Sequence, residues 1–149
     1  MIKIICLGSI KEKYIQEAIK EYEKRLSKYT KLEIIELKDE KDTANPLKKE
    51  KENILKHIHD KDNIVILDIK GQELTSEEFS SFINKELTNN SNITFIIGSS
   101  TGLDEEIKEM SNKKISFSKL TFPHQLFRVV LLEQIYRGFK IINNETYHK

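Results

Sequence analysis

The feature that most constrains this chain is the alternation of two apolar patterns along its length. Short apolar runs, which indicate buried strands, alternate with segments whose apolar residues recur every three or four positions, which indicate amphipathic helices. The runs are Ile2–Leu7, Leu32–Leu37, Asn63–Ile69, Asn92–Ile97 and Lys114–Phe117. Five strands alternating with five helices predict an α/β fold with a mostly parallel sheet and helices on both faces.

Local signals predict where several helices begin. Asn45-Pro46 is typical of an N-cap followed by proline at the first helical position. The run from Thr75 to Glu78 has the form of a capping box. A short helix is expected over Asp104–Met110. In the helix after Pro46 the apolar face is Leu47, Ile54, Leu55 and Ile58, and we interpret its lysine and glutamate residues as a solvated face.

The last helix, from about His124 to Ile142, is apolar around almost its whole circumference. A helix of this kind must be buried on all sides. A chain of 149 residues is expected to form one domain, residues 1–149, which is too small to surround the helix. We therefore expect one face of the helix to meet a second subunit, which predicts a homodimer.

Hydropathy, cysteine content and charge limit the classes of protein to which the chain can belong. No apolar stretch is long enough to span a bilayer, and we expect no membrane association. Cys6 is the only cysteine, which favours a reducing cytoplasm, and its apolar surroundings indicate an inert buried thiol. The net charge is +1, but residues 113–149 carry +5 and residues 1–112 carry −4. This asymmetry points modestly to an anionic partner for the C-terminal end.

No common catalytic motif is complete in the sequence. The loop Gly98–Gly102 lacks the Gly-Lys-Ser/Thr ending of a P-loop, and no Gly-x-Gly-x-x-Gly follows the first strand. The same loop has the letters of a Gly-x-Ser-x-Gly motif, but no acid–histidine pairing accompanies it to support a serine hydrolase. His57 and His59 do not share a helical face, and no Cys/His cluster is present, so we expect no metal.

Several segments in combination resemble one family. They are Leu67–Gly71, Phe95–Gly98 with Gly102-Leu103, Ser116–His124, Arg128–Arg137 and the ending Tyr147-His148-Lys149. With Lys11–Tyr14 and Glu21–Leu26 they resemble, over essentially the whole chain, the SPOUT-class methyltransferases of the ribosomal large subunit, RlmH type. That family commonly has Gly-Gly after the fourth strand, whereas here the second position is Ser99.

The resemblance implies a function and a cofactor site. Proteins of this family use S-adenosylmethionine to methylate N3 of a pseudouridine in 23S rRNA, on the assembled ribosome and as homodimers. Their C-terminal segment threads through a loop to form a trefoil knot, an exception to the rule against knots. The resemblance places the cofactor on three loops of this chain, at Leu67, at Gly98, and at Phe117, Ser118, Lys119, Leu120, Thr121 and Phe122.

The basic C-terminal end contains the candidates for catalysis and RNA binding. A base or cation near N3 of the target would assist loss of its proton. We expect Tyr147 and His148 to lie near the target base, since an aromatic ring and an imidazole suit contact with a base, and Lys149 to contact phosphate. Arg128 and His124 are further candidates for RNA contact. Alternatively, Arg128 holds the last helix in place, His124 only opens that helix, and the tail is frayed.

Two other classes of function stay open from the sequence. The first is an RNA-binding assembly factor without catalysis, built on the same scaffold. The second is a small-molecule α/β enzyme that turns over without RNA. The near-neutral charge favours recognition of a shaped surface over nonspecific attraction to phosphate, which requires a strongly basic protein.

Overall fold

Ten elements alternate along the chain in the computed structural model, which describes residues 1–89 and 92–149. The strands are β1 (Ile2–Leu7), β2 (Leu32–Leu37), β3 (Asp62–Glu73), β4 (Asn92–Ile97) and β5 (Lys113–Ser116). The helices are α1 (Lys13–Leu26), α2 (Pro46–Leu55), α3 (Ser76–Thr88), α4 (Glu105–Met110) and α5 (His124–Ile142). The predicted alternation of strands and helices is confirmed.

The strands form one sheet in the order β2-β1-β4-β3-β5, and each pairing between neighbours is parallel. The central strand β1 pairs with β2 from Ile2↔Leu32 to Leu7↔Leu37, and with β4 from Ile2↔Ile93 to Cys6↔Ile97. Because the strands are parallel, their carboxyl ends lie at the same edge of the sheet. The predicted α/β class is therefore confirmed.

Helices cover both faces of the sheet. Alternate residues of β1 point to opposite sides, since side chains alternate along a strand. Ile4 and Cys6 join a core shared with α1, α3 and α5, whereas Ile5 and Leu7 join a second core shared with α2 and α4. Burial raises the pKa of the Cys6 thiol to about 11, which keeps it protonated and inert, as the sequence predicted.

Several boundaries differ from the predicted ones. β3 continues to Glu73, and β5 ends at Ser116, which leaves Phe117 in the following loop. α2 ends at Leu55, so Ile58 lies outside it. Asp104 caps α4, whose first residue is Glu105. The capping box at the start of α3 is confirmed in full: Thr75 and Glu78 each accept from the other's backbone N–H.

The last helix, α5, is only partly enclosed by its own chain. Its buried residues pack mainly against α1 and α3; they are Arg128, Leu131, Leu132, Ile135, Tyr136, Gly138 and Phe139. On the remaining face Leu126 is 39% exposed, and Val129 is half-buried. One apolar side of the helix therefore stays open to solvent in the single chain.

Residues 68–71 leave the pairing between β3 and β5 and run against the backbone of β5. Leu67 and Gln72 are both register partners of Ile115, with the four residues 68–71 between them. A Cβ added to Gly71 would lie 2.8 Å from backbone atoms of both Lys114 and Ile115. No side chain fits at that distance, so this crossing requires glycine.

Replacement of Gly71 by alanine is expected to destabilise the fold. The added methyl group meets backbone, which must shift, and overpacking of this kind costs about 1–3 kcal/mol. Urea unfolding followed by circular dichroism measures the loss. Lys70→Ala, at an exposed position of the same segment, is the control and should change stability by no more than about 0.5 kcal/mol. Equal stability of Gly71→Ala and wild type would contradict the close crossing.

Candidate active site

Residues Ile66–Ile69 of β3 and the carboxyl ends of β4 and β5 surround a cavity of about 330 Å³, here called the first cavity. In an open α/β sheet this edge is where ligands bind. Its lining includes seven of the eight residues predicted to bind the cofactor: Leu67, Gly98, Phe117, Ser118, Leu120, Thr121 and Phe122. The eighth, Lys119, is exposed and lies outside the lining. The three predicted loops thus meet at one cavity.

The loop after β4 closes on itself through backbone contacts. The Gly102 N–H donates to the Ser99 carbonyl at 2.9 Å, and Gly102 has φ +86°, a conformation that favours glycine. A Cβ on Gly98 would lie 2.9 Å from the Gly102 carbonyl oxygen. Ser99 is not among the residues with positive φ. Serine in place of the family's second glycine is therefore accommodated without backbone strain.

The loop after β5 forms the outer wall of the first cavity. The Ser118 hydroxyl accepts from the Leu120 N–H at 2.9 Å, and the Ser118 carbonyl accepts from the Ser116 hydroxyl at 3.0 Å. These bonds fold the loop into a compact turn. Phe117 and Phe122 both contact the Phe127 ring, with centroids 5.2 and 5.7 Å apart, which anchors the loop to α5.

Leu120 is the most accessible apolar side chain of the loop after β5. It is 76% exposed, although it lies on the rim of a largely apolar cavity. Large apolar side chains that stay in water at a cavity rim are typical of ligand contacts. A ligand in the first cavity could therefore cover Leu120.

Glu50 on α2 is a buried carboxylate that reaches the loop after β4. It is 1% exposed and accepts from the Glu40 N–H at 2.9 Å and from the Ser99 hydroxyl at 3.1 Å. Ser99 is also hydrogen-bonded to the Thr101 hydroxyl, at 2.8 Å. Burial is the main cause that raises the pKa of Glu50, and neighbouring Asp39 adds to it. Glu50 therefore links α2 to the rim of the first cavity.

The interpretation of α2's charged residues as a solvated face is wrong for Glu50. The sequence contained a signal that was overlooked, since Glu50 follows Leu47 by three positions and precedes Ile54 by four. That spacing places it on the apolar side of the helix. A charged residue at a core position is a stronger indication of a role than the same residue in a charged run.

Arg128 is buried and its contacts are within the chain. It is 3% exposed, forms an ion pair with Glu36 at 2.8 Å, and donates to the carbonyls of Leu7 at 3.3 Å and Gly8 at 2.5 Å. These partners lie at the carboxyl ends of β1 and β2. The arrangement supports the alternative that Arg128 holds the last helix in place, since a phosphate contact would require the ion pair to open.

The predicted tail residues lie away from the first cavity, against α5 and the start of α3. The Tyr147 ring stands edge-on to Tyr136 with centroids 5.0 Å apart, and its hydroxyl donates to Glu133 at 3.1 Å. Burial is the main cause that raises the pKa of Tyr147 to about 12. Lys149 is exposed and His124, the first residue of α5, lines the first cavity.

His148 is held between two charged side chains. Its Nδ1 lies 3.1 Å from Nη1 of Arg137, and its Nε2 lies 2.7 Å from Oε1 of Glu77. A guanidinium only donates, so Nδ1 accepts and the ring proton is on Nε2, which donates to Glu77. This hydrogen bond is the main cause that lowers the pKa of Glu77. The tail is therefore docked on the protein rather than frayed.

A smaller cavity of about 180 Å³, here called the second cavity, adjoins the first one. The two share Ile115, Ser116, Phe117 and Phe122. The rest of the second cavity is formed by the start of α3 and by α5: Leu74, Thr75, Ser76, Phe79, Val130 and Gln134. Sequence patterns give no indication of this cavity, because its walls come from segments far apart in the chain.

Within residues 1–89 and 92–149, no three His, Cys, Asp or Glu side chains are grouped as metal ligands would be. In those same ranges no helix combines the length and apolarity that crossing a membrane demands.

Comparison with known proteins identifies a matching family model and several relatives of the chain. The family model described as "Predicted SPOUT methyltransferase" matches residues 1–148. The chain is 52% identical to "Ribosomal RNA large subunit methyltransferase H" of Caldicellulosiruptor saccharolyticus, with all of both chains covered. It is 56% identical to the protein of that name from Clostridium botulinum, over 99% of each chain. A "Putative ribosomal RNA large subunit methyltransferase H" of Methanococcus maripaludis is 54% identical over 99% of each chain.

A solved structure has a similar fold. The crystal structure of the tRNA (m1G37) methyltransferase of Aquifex aeolicus superposes with a TM-score of 0.57, covering 91% of this chain and 69% of that one. The sequence identity is 16%, so the likeness concerns the fold alone.

Glu50 is expected to make stability depend on pH. Because its pKa is raised in the folded protein, its contribution is favourable below its unfolded pKa and is lost as the pH rises through the folded pKa. We therefore compare the melting temperatures of Glu50→Gln and wild type at each pH. The difference, variant minus wild type, is expected to increase from about pH 4 to about pH 7. Calorimetric melting across this range measures the difference. Glu52→Gln, at an exposed position of α2, is the control, and a flat difference for Glu50→Gln would contradict the prediction.

Proposed function

Since the chain belongs to the SPOUT methyltransferase family, we propose that it is an S-adenosylmethionine-dependent methyltransferase acting on ribosomal RNA of the large subunit. The observation that carries the proposal is the meeting of the three predicted cofactor loops at the first cavity. Full-length relatives at 52% and 56% identity whose names state large-subunit ribosomal RNA methylation support the choice of RNA.

The residues of the first cavity fit the proposed cofactor. Its volume of about 330 Å³ is within the range of small-molecule sites, roughly 300–1,000 Å³. Leu67, Leu103 and Phe117 supply apolar walls for an adenine ring, and the closed turn at Gly98–Gly102 brings backbone groups to the rim. We propose that these loops hold the cofactor mainly through backbone groups, with Leu120 covering it.

The finer proposal is that the target atom is N3 of a pseudouridine in 23S rRNA of the assembled ribosome. The bound cofactor supplies a methyl group on a sulfonium, so that N3 gains the methyl carbon while the carbon–sulfur bond breaks and its electron pair stays on sulfur. The N3 proton leaves to water or to a protein base. The chain's own part is to place the base in line with the methyl group and to exclude water.

We propose that Tyr147 and His148 lie near the target base, since an aromatic ring and an imidazole suit contact with a base. With its pKa near 12 and its hydroxyl bonded to Glu133, Tyr147 acts as a hydrogen-bond donor. Both ring nitrogens of His148 are engaged, so accepting the N3 proton would require the contact with Arg137 to open first. His124 and Lys149 are proposed to contact RNA. Arg128 contributes to that surface only by orienting α5.

The trefoil knot and a cytoplasmic location are also proposals. Close contact of residues 68–71 with β5 supports the knot, because a threaded chain needs such a crossing. The reducing environment favoured by a single buried cysteine supports the location.

A homodimer is proposed on the open face of α5. Leu126 is 39% exposed and adjoins half-buried Val129, and water contact disfavours such apolar side chains. We expect Leu126→Asp to shift the protein from dimer to monomer in sedimentation velocity, because a carboxylate buried in an apolar interface is costly. Leu55→Asp, at an equally exposed position on α2, is the control. A wild-type monomer, or a dimer unaffected by Leu126→Asp, would contradict this interface.

The enzyme activity is tested with purified protein, labelled S-adenosylmethionine and large-subunit RNA. We expect methyl transfer to intact ribosomes and little transfer to free rRNA fragments, because a near-neutral protein must recognise a shaped surface. Mass spectrometry of rRNA from cells lacking the gene should show the loss of one methyl group. Equal rates on ribosomes and fragments would overturn recognition of the assembled particle.

Calorimetry separates this function from its rivals. Binding of S-adenosylmethionine is expected of a methyltransferase, whereas an assembly factor without catalysis would not bind it. Turnover of a small molecule without RNA would favour the third class instead.

A further inference from the structure

The second cavity has walls at the start of α3 and on α5 that do not line the first cavity. We propose that it receives the target base, a uracil-type ring, which is flipped out of the RNA so that its N3 faces the first cavity. The inference rests on the proposed function and adds to it a substrate site. Enzymes that act on a base must remove it from the stack and hold it in a pocket.

The volume of the second cavity suits a single pyrimidine ring. It measures about 180 Å³, and a protein cavity of about 150 Å³ is known to accept benzene, also a six-membered ring. A purine would need a larger space. The size therefore favours a one-ring base over a two-ring base.

The position of the second cavity suits methyl transfer. It shares the walls Ile115, Ser116, Phe117 and Phe122 with the first cavity, so a ring in one lies beside a ligand in the other. Phe122 lines both and is anchored through Phe127. An aromatic ring at this boundary offers a surface on which a flipped base can stack. No long movement separates the two reacting partners.

The polar groups of the second cavity suit the edge of a uracil ring. The Ser76 hydroxyl donates to the Gln134 amide oxygen at 2.8 Å, and the Gln134 amide nitrogen donates to Glu133 at 2.9 Å. A uracil edge presents two carbonyl oxygens on either side of N3. A hydroxyl and an amide can turn to donate to those oxygens and leave N3 free to react.

The polar rim also connects the second cavity to the predicted catalytic tail. Glu133, which accepts from Gln134, accepts from the Tyr147 hydroxyl as well. Glu77, next to Ser76 in the chain, accepts from His148. Tyr147 is thus two hydrogen bonds from Gln134 in the wall of the second cavity, and His148 is bonded to the neighbour of Ser76 in that wall. The N3 proton would leave from the side of the second cavity that is nearest to Tyr147 and His148.

Two variants separate the base site from the cofactor site. Val130→Phe fills the second cavity, and Leu120→Asp alters the rim of the first. We expect Val130→Phe to lower kcat/KM for methyl transfer to ribosomes by about 100-fold, because misplacement of a reacting group has effects of that order. Its affinity for S-adenosylmethionine in calorimetry and its sedimentation should match wild type. Leu120→Asp should weaken S-adenosylmethionine binding about tenfold.

A gentler substitution and a control complete the test. Gln134→Ala should raise KM for ribosomes roughly tenfold with little change in S-adenosylmethionine affinity, since it removes one polar contact to the base. Ser81→Ala, at an exposed position of α3, should behave as wild type. Ser76→Ala should instead raise KM for ribosomes, because it removes a hydroxyl group from the wall of the second cavity.

Each result decides the proposal. Normal methyl transfer by Val130→Phe would overturn it, and so would loss of S-adenosylmethionine binding, which would assign the second cavity to the cofactor. Failure of the wild-type protein to methylate ribosomes would instead refute the proposed function. These failures are distinguishable because cofactor binding and transfer are measured on every variant.

Discussion

The contact between residues 68–71 and β5 is the constraint on which the site depends. Gly71 lies against the backbone of Lys114 and Ile115, and β3 pairs with Ile115 both before and after the crossing. This fixes the end of β5, and therefore the point from which the loop Phe117–Phe122 leaves the sheet. Without it, the loop after β5 would lack a fixed position relative to the other two loops of the first cavity, which the pairing of β3 with β4 holds together.

The fold could be predicted to the level of its elements and class. Alternating apolar periods report local burial, so they identified five strands, five helices and a parallel sheet. The extension of β3 to Glu73 and its double pairing with Ile115 depend on a contact between segments more than forty residues apart. Local periodicity contains no information on such contacts, and the boundaries of β3 and β5 were accordingly misplaced.

Only part of the site could be predicted, for a similar reason. Family resemblance placed the cofactor loops, and all but Lys119 of their residues line one cavity. Glu50 was missed because its neighbours are charged, although its helical spacing matched the apolar face. The second cavity could not be predicted, since α3, α5 and the loop after β5 form it together. The docking of His148 likewise depends on Glu77, which lies 71 residues away in the sequence.

Arg128 bears on how alignments of RNA-modifying enzymes are interpreted. Its planar fork donates to Glu36 and to two carbonyls at the ends of neighbouring strands, a geometry that lysine cannot reproduce. Selection for this fold alone would keep arginine at that position, whatever nucleic acid the protein binds. An invariant arginine in such a family is therefore insufficient evidence of a phosphate contact, and its burial has to be considered before a role in recognition is assigned.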